Sequence, residues 1–452
     1  MNNTNTQSQR LRDLEQMPVG KLLLRYSIPS VVGMVVMSLY NIVDRIFIGQ
    51  VVGSDAIAGL AITFPLMNIS AAFGVLIGGG AAARVSLMLG NGDASTARRI
   101  LGNSLTLTLL LGLIYCSFFA IFIDDVLRVF GATARTLPYA RDMMLYVLPG
   151  LLLTNLAFSF NNVMRAAGFP KKAMYTMFIG AITNVALDPI FIYALDWGIM
   201  GAALATDIAM TVSAVFVMWH FVKPHGEVYF QRGTYRLSWR ILSGIVAIRA
   251  APCIVNVASC MINILINHSL NEFGGEDAIA ASGVFVTATA FVVCVVLGIC
   301  QGMQPIIGYN FGAGLLHRVR RCFWLATGVA TVVCAAGWAA GIFFPEEIAS
   351  AFIKDPELIA KTGGYLRIAM ICFIVVGFQI VSTTFFQSIG QAGKSILLSL
   401  TRQVIFLIPL LLILPKEFNL AGIWASFPTS DFFATVVTAI LIAMQLRKMS
   451  RQ

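Results

Sequence analysis

Charged side chains are scarce in this chain. They make up 12% of its 452 residues, whereas 58% are hydrophobic, and the mean hydropathy is +0.83. In soluble domains about a quarter of all residues are charged, so this composition excludes an ordinary soluble protein. Apolar runs of about 20 residues recur along the sequence, which is the length that a helix needs to cross a bilayer. We predict an all-α polytopic membrane protein, because helices satisfy their own backbone hydrogen bonds in lipid.

Signatures of metal binding and catalysis are also missing. The four histidines form no HExxH motif, and the eight cysteines show neither CxxC pairs nor zinc spacing. The stretch QAGKS at Gln391–Ser395 lacks the first glycine of a Walker A loop, since Ser388 stands there. The stretch GNGD ends at Asp93 in a basic turn, where the acid is predicted to cap a helix and not to act as a membrane protease. We expect no cofactor, no bound metal and no enzyme activity.

The net charge of +10 is a signal of topology. Basic pairs such as Arg98-Arg99 and Lys171-Lys172 fall in alternate loops, and the intervening loops are richer in acids such as Asp124 and Glu346. The positive-inside rule then places both termini in the cytoplasm of a multi-pass inner-membrane protein, with the lipid bilayer and not nucleic acid as its partner. Residues 1–26 show no cleavable signal peptide. We predict twelve spans, at approximately 23–50, 55–89, 100–123, 137–166, 172–194, 200–222, 239–271, 277–311, 320–344, 361–389, 395–415 and 420–446.

The two halves of the chain resemble each other at an offset of 222 residues. The stretch SDAIAGLAITF from Ser54 corresponds to EDAIAASGVFV from Glu276, and Gly90 and Gly168 correspond to Gly312 and Gly390. Parallel repeats of this kind are a transporter architecture, with sites near the midplane and rocking of one lobe against the other. We predict two pseudo-symmetric six-helix bundles in one monomer. The divisions are a cytoplasmic segment at 1–22, a first bundle at 23–222, a cytoplasmic loop at 223–238, a second bundle at 239–446 and a cytoplasmic tail at 447–452.

Polar groups at membrane depth mark functional sites, because they are costly there. Asp188 lies midway along span five, and Asn184 lies one helical turn before it on the same face. Pro189 is predicted to bend the helix and to release the carbonyl of Val185 beside the acid. Burial favours the protonated form of a carboxylate, so this group suits a proton or cation site. A structural, paired acid is the alternative.

Three further acids lie in apolar runs. Asp44 shares a face of span one with Tyr40 and Asn41, although a position at the external boundary would also explain it. In span six, Thr206 could donate to a carboxylate of span five, and Asp207 beside it is either functional or a structural link. Asp431 follows Pro428 in span twelve and is the weakest candidate of the four.

The second bundle lacks the equivalent acid, because Leu410 stands at the 222-residue offset from Asp188. Its polar residues are candidate cavity groups or links between helices: Asn256, Asn263, Gln379, Gln387, and the pair Arg402-Gln403. Methionine and phenylalanine are abundant, at 19 and 32 residues, and suit an adaptable apolar cavity, although most of them would serve ordinary packing.

The repeat, the stretch IPSVVGMVVMSLYNIVDRIFIG from Ile28 and the stretch TNVALDPIFI from Thr183 together resemble the MATE family of multidrug and toxic compound extrusion transporters, in its MepA-like and DinF-like branch. The resemblance covers essentially the whole chain. It implies cation-coupled export of amphipathic, drug-like organic cations, and a first-bundle coupling site at Asp44, Asn184, Asp188 and Thr206, with Tyr40 nearby. NorM-type members carry a glutamate in span seven, which is missing here. The coupling ion is therefore expected to be H⁺, with Na⁺ at Asp44, Asn184 and Asp188 as the alternative.

Other functions remain as alternatives. A lipid-linked oligosaccharide flippase of the same superfamily would need a wide cationic cavity, and an intramembrane enzyme would need Asp93 inside the membrane. A passive channel would need rings of repeated polar groups in both halves. The identity of the substrate cannot be read from an adaptable apolar cavity.

Overall fold

The computed structural model describes residues 11–51, 54–130, 132–134, 136–195, 197–224 and 226–450. Side chains are described within these ranges except at 41–51, 54–62, 64, 65, 68, 193, 199, 249–258, 260, 261, 264, 267 and 276. Helices dominate this part of the chain, and none of its residues forms a β-strand. The predicted all-α fold is confirmed.

Seven helices make up the described first half. They are α1 Val19–Val51, α2 Ser54–Gly90, α3 Ala94–Ile121, α4 Ile123–Val129, α5 Leu137–Ala166, α6 Pro170–Pro189 and α7 Gly198–Val222. The second half contains α8 Trp239–Gly312, α9 Leu316–Phe343, α10 Pro345–Ser350, α11 Pro356–Ala369, α12 Val376–Ser388, α13 Ala392–Leu400 and α14 Ile408–Ser450. Two π-helical turns, Ile190–Ala194 and Thr401–Leu407, continue α6 and α13.

Membrane spans are counted from helix length and composition. Nine stretches of the described chain qualify, and the bent pair Pro356–Ala369 and Phe373–Ser388 adds a tenth. One of the nine, Ala392–Ser450, is 59 residues long and is divided by Asn419, whose φ of 49° ends a helix. Residues 239–274, which precede the break at Gly275, are helical, but only Trp239–Ile248 among them is apolar in the described chain, and it is shorter than a span. Each of the twelve predicted spans therefore lies on helical residues.

Helix boundaries differ from the prediction where capping decides them. Span three was expected to begin near residue 100, but α3 begins at Ala94. The side chain of Asp93 accepts a hydrogen bond from the Thr96 backbone N–H at 2.9 Å. It thereby satisfies one of the first-turn N–H groups that have no partner within the helix. Hydrogen bonds from Thr96 also hold the pKa of Asp93 below its usual range. The predicted capping role of Asp93 is confirmed.

We expect Asp93→Ala to lower the stability of the folded protein by about 1 kcal/mol at neutral pH, because it removes this cap. Thermal unfolding in detergent measures the loss. Asp93→Asn is the matched control, since its side-chain oxygen still accepts from Thr96. The wild-type cap is fully effective above the ordinary carboxyl pKa of about 3.9 and is lost as the pH falls through the lowered folded value. Equal unfolding temperatures of the wild type and Asp93→Ala would contradict the capping role.

The sequence repeat is visible in the backbone. Gly92 and Gly314, 222 residues apart, have φ angles of 78° and 72°, and Gly168 and Gly390 have φ angles of 93° and 76°. Each pair follows the end of a helix, where glycine adopts the left-handed conformation without strain. The two halves therefore use the same turns at the same positions.

The halves meet where small residues allow close approach of helices. Gly298 and Gly302 in α8 pack against Val31 and Ser27 in α1. At the ends of α2 and α8, Gly90 lies against the Tyr309 carbonyl, and the repeat-related Gly312 lies against the Leu87 carbonyl. Such contacts between small residues drive helix association in membranes. They leave a cavity between the halves, described below.

Candidate functional site

Three predicted residues of the first bundle come together between α6 and α7. Asn184 and Asp188 are both fully buried. The Asn184 Nδ2 donates to Asp188 Oδ1 at 3.3 Å and to Thr206 Oγ1 at 3.2 Å. Thr206 thus contacts the amide, whereas the sequence suggested a contact with a span-five carboxylate. Asn184 is the residue that links the acid to the neighbouring helix.

Tyr40 approaches the same two helices from α1. It is 9% exposed and packs with Ala181 of α6 and Met210 of α7, each within a helical turn or so of the polar cluster. The side chains of the other span-one candidates, Asn41 and Asp44, lie outside the described residues, as does that of Asn256. The structure therefore assembles Tyr40, Asn184, Asp188 and Thr206 at the junction of three helices.

The helix changes character directly after Asp188. α6 ends at Pro189 and continues as the π-helical turn Ile190–Ala194, in which the Leu195 N–H donates to the Ile190 carbonyl at 3.0 Å. Proline cannot donate to the preceding turn, and π-turns inside membrane helices are frequent at functional sites. The predicted irregularity beside the acid is present, in the form of a wider turn.

Asp207 does not join this cluster. Its carboxylate lies against Gly150 of α5, where an added Cβ would clash with it. Adjacent helical residues point about 100° apart, so Thr206 faces α6 while Asp207 faces α5. Asp207 therefore contacts α5, where the glycine makes room for its carboxylate.

If the cluster couples export to protons, as the sequence predicts, we expect Thr206→Val to reduce that export roughly fivefold, because it removes the acceptor for Asn184 and one such hydrogen bond contributes about 1 kcal/mol. Initial efflux rates in vesicles measure the effect. Thr211→Val is the matched control on the same helix, since the Thr211 hydroxyl donates to the Asp207 carbonyl within α7. Equal losses in the two variants would show that the Thr206 contact has no special role.

A cavity of about 560 Å³ lies between the two halves. Its described walls come from both bundles and include Met34 and Met177 from the first, and Gln301, Gln379 and Gln387 from the second. Within the described part of the chain, the Oε1 atoms of the three glutamines are buried without a hydrogen-bond partner. Because buried acceptors are costly when unmet, these oxygens are suited to a ligand that carries N–H donors or positive charge. Gln379 fits both roles that the sequence left open, since it lines the cavity and its Nε2 donates to the Asp431 carbonyl of α14 at 2.7 Å.

The second bundle contains a cavity of its own, of about 480 Å³. Asn263 lines it, together with Arg402, Gln403 and Asp431. Arg402 Nε donates to Asp431 Oδ1 at 2.7 Å, so the weakest of the four acid candidates is half of a buried ion pair. This bundle therefore has deep charge as well, although it lacks an acid at the position equivalent to Asp188.

Sequence reasoning missed several cavity residues near helix ends. Arg165 is 3% exposed, donates to Asn162 Oδ1 at 2.6 Å and lines the central cavity. Arginine near the end of a span usually extends to the membrane surface, so its position gave no signal. The spacing of Asn162 and Arg165, three residues apart on one helix face, was the available clue. Gln301 and Gln304 are a similar pair on α8.

Comparison with protein families settles the class of this chain. The MatE family model matches residues 29–190 and again residues 252–413, and each end of the second match lies 223 residues after the first. The chain belongs to the MatE family. The doubled match agrees with the internal repeat found in the sequence, and it makes this protein a transporter by family rather than an enzyme.

MatE relatives cover nearly the whole chain. It is 27% identical to the multidrug export protein MepA of Staphylococcus aureus strain NCTC 8325 over 442 residues, which is 97% of this chain and 96% of that protein. It is 26% identical to a FAD transporter of Shewanella oneidensis, covering 87% of each chain. A crystal structure of a MATE in complex with MaD5 has a TM-score of 0.90 at 25% identity, covering 98% of this chain and 99% of that one.

A second structure shows the same fold. An outward-facing multidrug resistance MATE family transporter has a TM-score of 0.91 at 24% identity, covering 97% of this chain and 98% of that one. The predicted MATE-like architecture is confirmed, and the protein is a multi-pass membrane protein.

Proposed function

We propose that this protein is a secondary multidrug efflux transporter, which exports amphipathic and cationic organic compounds across the inner membrane in exchange for protons. The similarity to MepA supports the export of drugs. The polar cluster of Asn184, Asp188 and Thr206 is the observation that carries the coupling mechanism. It provides a titratable carboxyl group, Asp188, at membrane depth. The Asn184 amide that donates to this group can change its hydrogen bonds when the carboxyl group gains or loses a proton.

The mechanism follows from the geometry of this cluster. An ionised Asp188 attracts the Asn184 amide, whereas a protonated one loses its charge and gains an O–H donor. Asn184 Oδ1 is buried and has no hydrogen-bond partner among the described residues, so it is available to accept from such a donor. Exchange between these two arrangements would shift α6 against α7 and α1, and so bias the two bundles between inward-open and outward-open states. In this proposal both termini lie in the cytoplasm, as the positive-inside rule predicts.

Sodium is the alternative coupling ion at Asp44, Asn184 and Asp188, since carboxylate and amide oxygens also bind Na⁺. Everted membrane vesicles, whose cytoplasmic face is outside, distinguish the two when a fluorescent cation such as ethidium is added to the external medium. We expect uptake into the vesicles to follow an imposed pH gradient and to be indifferent to a sodium gradient. Uptake that follows sodium alone would replace the proton in this proposal.

The flippase alternative is disfavoured by the size of the central cavity. Two arginines, Arg165 and Arg402, line it, as a pyrophosphate carrier would require. A volume of about 560 Å³ falls within the range of sites for drug-sized molecules and leaves no room for an oligosaccharide.

A further inference from the structure

The second-bundle cavity combines an arginine with unused hydrogen-bond donors. Arg402 bonds Asp431 only through Nε, and its two terminal Nη groups make no hydrogen bond among the described residues. Gln403 accepts from Ser259 Oγ at 3.2 Å, and its Nε2 donors are likewise unused there. Trp424 is 1% exposed, and its buried Nε1 has no hydrogen-bond partner in the part of the chain that the structure describes. All three side chains line the cavity.

Accessibility separates the two members of the ion pair. The side chain of Arg402 is 33% exposed, whereas that of Asp431 is 9% exposed. The terminal edge of a guanidinium can bind a carboxylate or phosphate through two parallel hydrogen bonds while Nε stays on its own partner. An incoming acceptor therefore meets the arginine first and does not have to displace Asp431.

Aromatic side chains also line this cavity. Phe285 meets Trp424 edge-on with 6.0 Å between ring centroids, and Phe427 lies 6.4 Å from Trp424. Behind them, Tyr365 stacks on Trp424 at 5.2 Å. Such a surface provides favourable contacts for a flat apolar ligand. The cavity thus combines an aromatic surface with hydrogen-bond donors and an ion pair.

The fold itself does not require this arrangement. At the 222-residue offset, Arg402 corresponds to Gly180 in the first bundle. A Cβ at Gly180 would lie 2.5 Å from Ser213 Oγ and 3.8 Å from the Ala209 carbonyl, so α6 and α7 are tightly packed there. In the second bundle the same place holds the ion pair, and the π-helical turn Thr401–Leu407 carries the arginine. The Ser430 hydroxyl fixes this turn by donating to the Arg402 carbonyl at 2.6 Å.

We propose that the second-bundle cavity binds the anionic group of an aromatic amphipathic molecule, with Arg402, Gln403 and Trp424 as its donors. Arg402 also lines the central cavity, so the site opens onto the space between the bundles. The cargo of this transporter then includes aromatic carboxylates or phosphates in addition to cations. Binding at this site stands independently of transport, but its use in export rests on the proposed function.

A matched set of three ligands tests the proposal: naphthoate, naphthylmethanol and naphthylmethylammonium, which share an aromatic body and differ in charge. Calorimetric titration of the full chain in lipid nanodiscs gives the affinities, and empty nanodiscs correct for partition into lipid. We expect naphthoate to bind at least tenfold more tightly than the neutral naphthylmethanol. The ammonium, as a candidate cation cargo, should keep its affinity when Arg402 is changed. Equal affinities of naphthoate and naphthylmethanol would overturn the proposal.

Variants locate the site. The double change Arg402→Gln with Asp431→Asn removes both charges without leaving either one buried alone, and it should abolish the preference for naphthoate. Trp424→Phe keeps the ring and loses the N–H, so it should weaken naphthoate several-fold and leave naphthylmethanol unchanged. If the double variant does not fold, Arg402→Lys is the substitute. It keeps the positive charge but removes the two parallel Nη hydrogen bonds, and we expect the same loss of preference for naphthoate. An unchanged preference in any of these folded variants would show that the ion pair is purely structural.

Two controls complete the design. Arg367→Gln removes a surface arginine that pairs loosely with Glu346 at 4.0 Å, outside both cavities, and it should leave all three affinities unchanged. Asp188→Asn should also bind naphthoate normally, because it changes the first bundle only. A failure of proton coupling and a failure of anion binding are therefore distinguishable in the same preparations.

Discussion

Replacing Asp188 with asparagine is expected to abolish export driven by a pH gradient. The two side chains have nearly the same shape, and the amide oxygen of the replacement can still accept from Asn184. What is lost is the ability to bind and release a proton. Each unit of pH difference supplies about 1.4 kcal/mol per proton, which is also the free energy of a tenfold gradient of a neutral cargo. Without that exchange, the transporter can only equilibrate its substrate.

The Asp188→Asn experiment separates coupling from folding and binding. Thermal unfolding and ethidium binding should match the wild type, and passive exchange of substrate across proteoliposomes should persist. Asp188→Glu should retain part of the proton-driven activity, because it keeps a carboxyl group in the site. Asp277→Asn is a matched control, since Asp277 is exposed and pairs with Lys361 at 3.4 Å. Uphill export of normal rate by Asp188→Asn would refute the assignment of the proton site.

The geometry within single helices could be predicted from the sequence. Asn184 and Asp188 are four residues apart, so the helical period alone places them on one face, and the structure joins them by a hydrogen bond. The glycine turns at the 222-residue offset were predictable for the same kind of reason, because a repeated sequence repeats its local backbone. Membrane spans followed from hydropathy, since lipid tolerates only backbones that satisfy themselves.

Contacts between helices could not be derived in this way. Arg402 and Asp431 are 29 residues apart on different helices, and their pairing depends on packing and on a π-helical turn that shifts the register of Arg402. The direction of Asp207 toward Gly150 likewise depends on how α5 and α7 cross. A sequence lists the polar groups at depth, but only the packed structure shows which of them share a cavity.

The contact between the ends of α2 and α8 is reciprocal. Gly90 lies against the Tyr309 carbonyl and the Ala313 N–H, and Gly312 lies against the Leu87 carbonyl and the Asn91 N–H. Any Cβ at either glycine would collide with backbone atoms, which cannot move away as a flexible side chain can. The positive-inside rule predicts that this crossing lies at the cytoplasmic end, and we propose that it closes the central cavity on that side. The outward-open state of an alternating-access cycle needs such a seal.

We therefore expect Gly90→Val and Gly312→Val each to reduce export more than tenfold, because overpacking against backbone costs about 1–3 kcal/mol or more and keeps the two helix ends apart. Since both residues serve one contact, the double variant should lose much less than the product of the two single effects. Gly328→Val in α9 is the control, as no described atom beyond the adjacent backbone of its own helix lies within 4 Å of the position of its Cβ. Efflux rates and thermal unfolding of the four proteins provide the comparison. Independent, multiplicative losses would mean that the two glycines act at separate places, and normal export by either single variant would show that the seal is not part of the transport cycle.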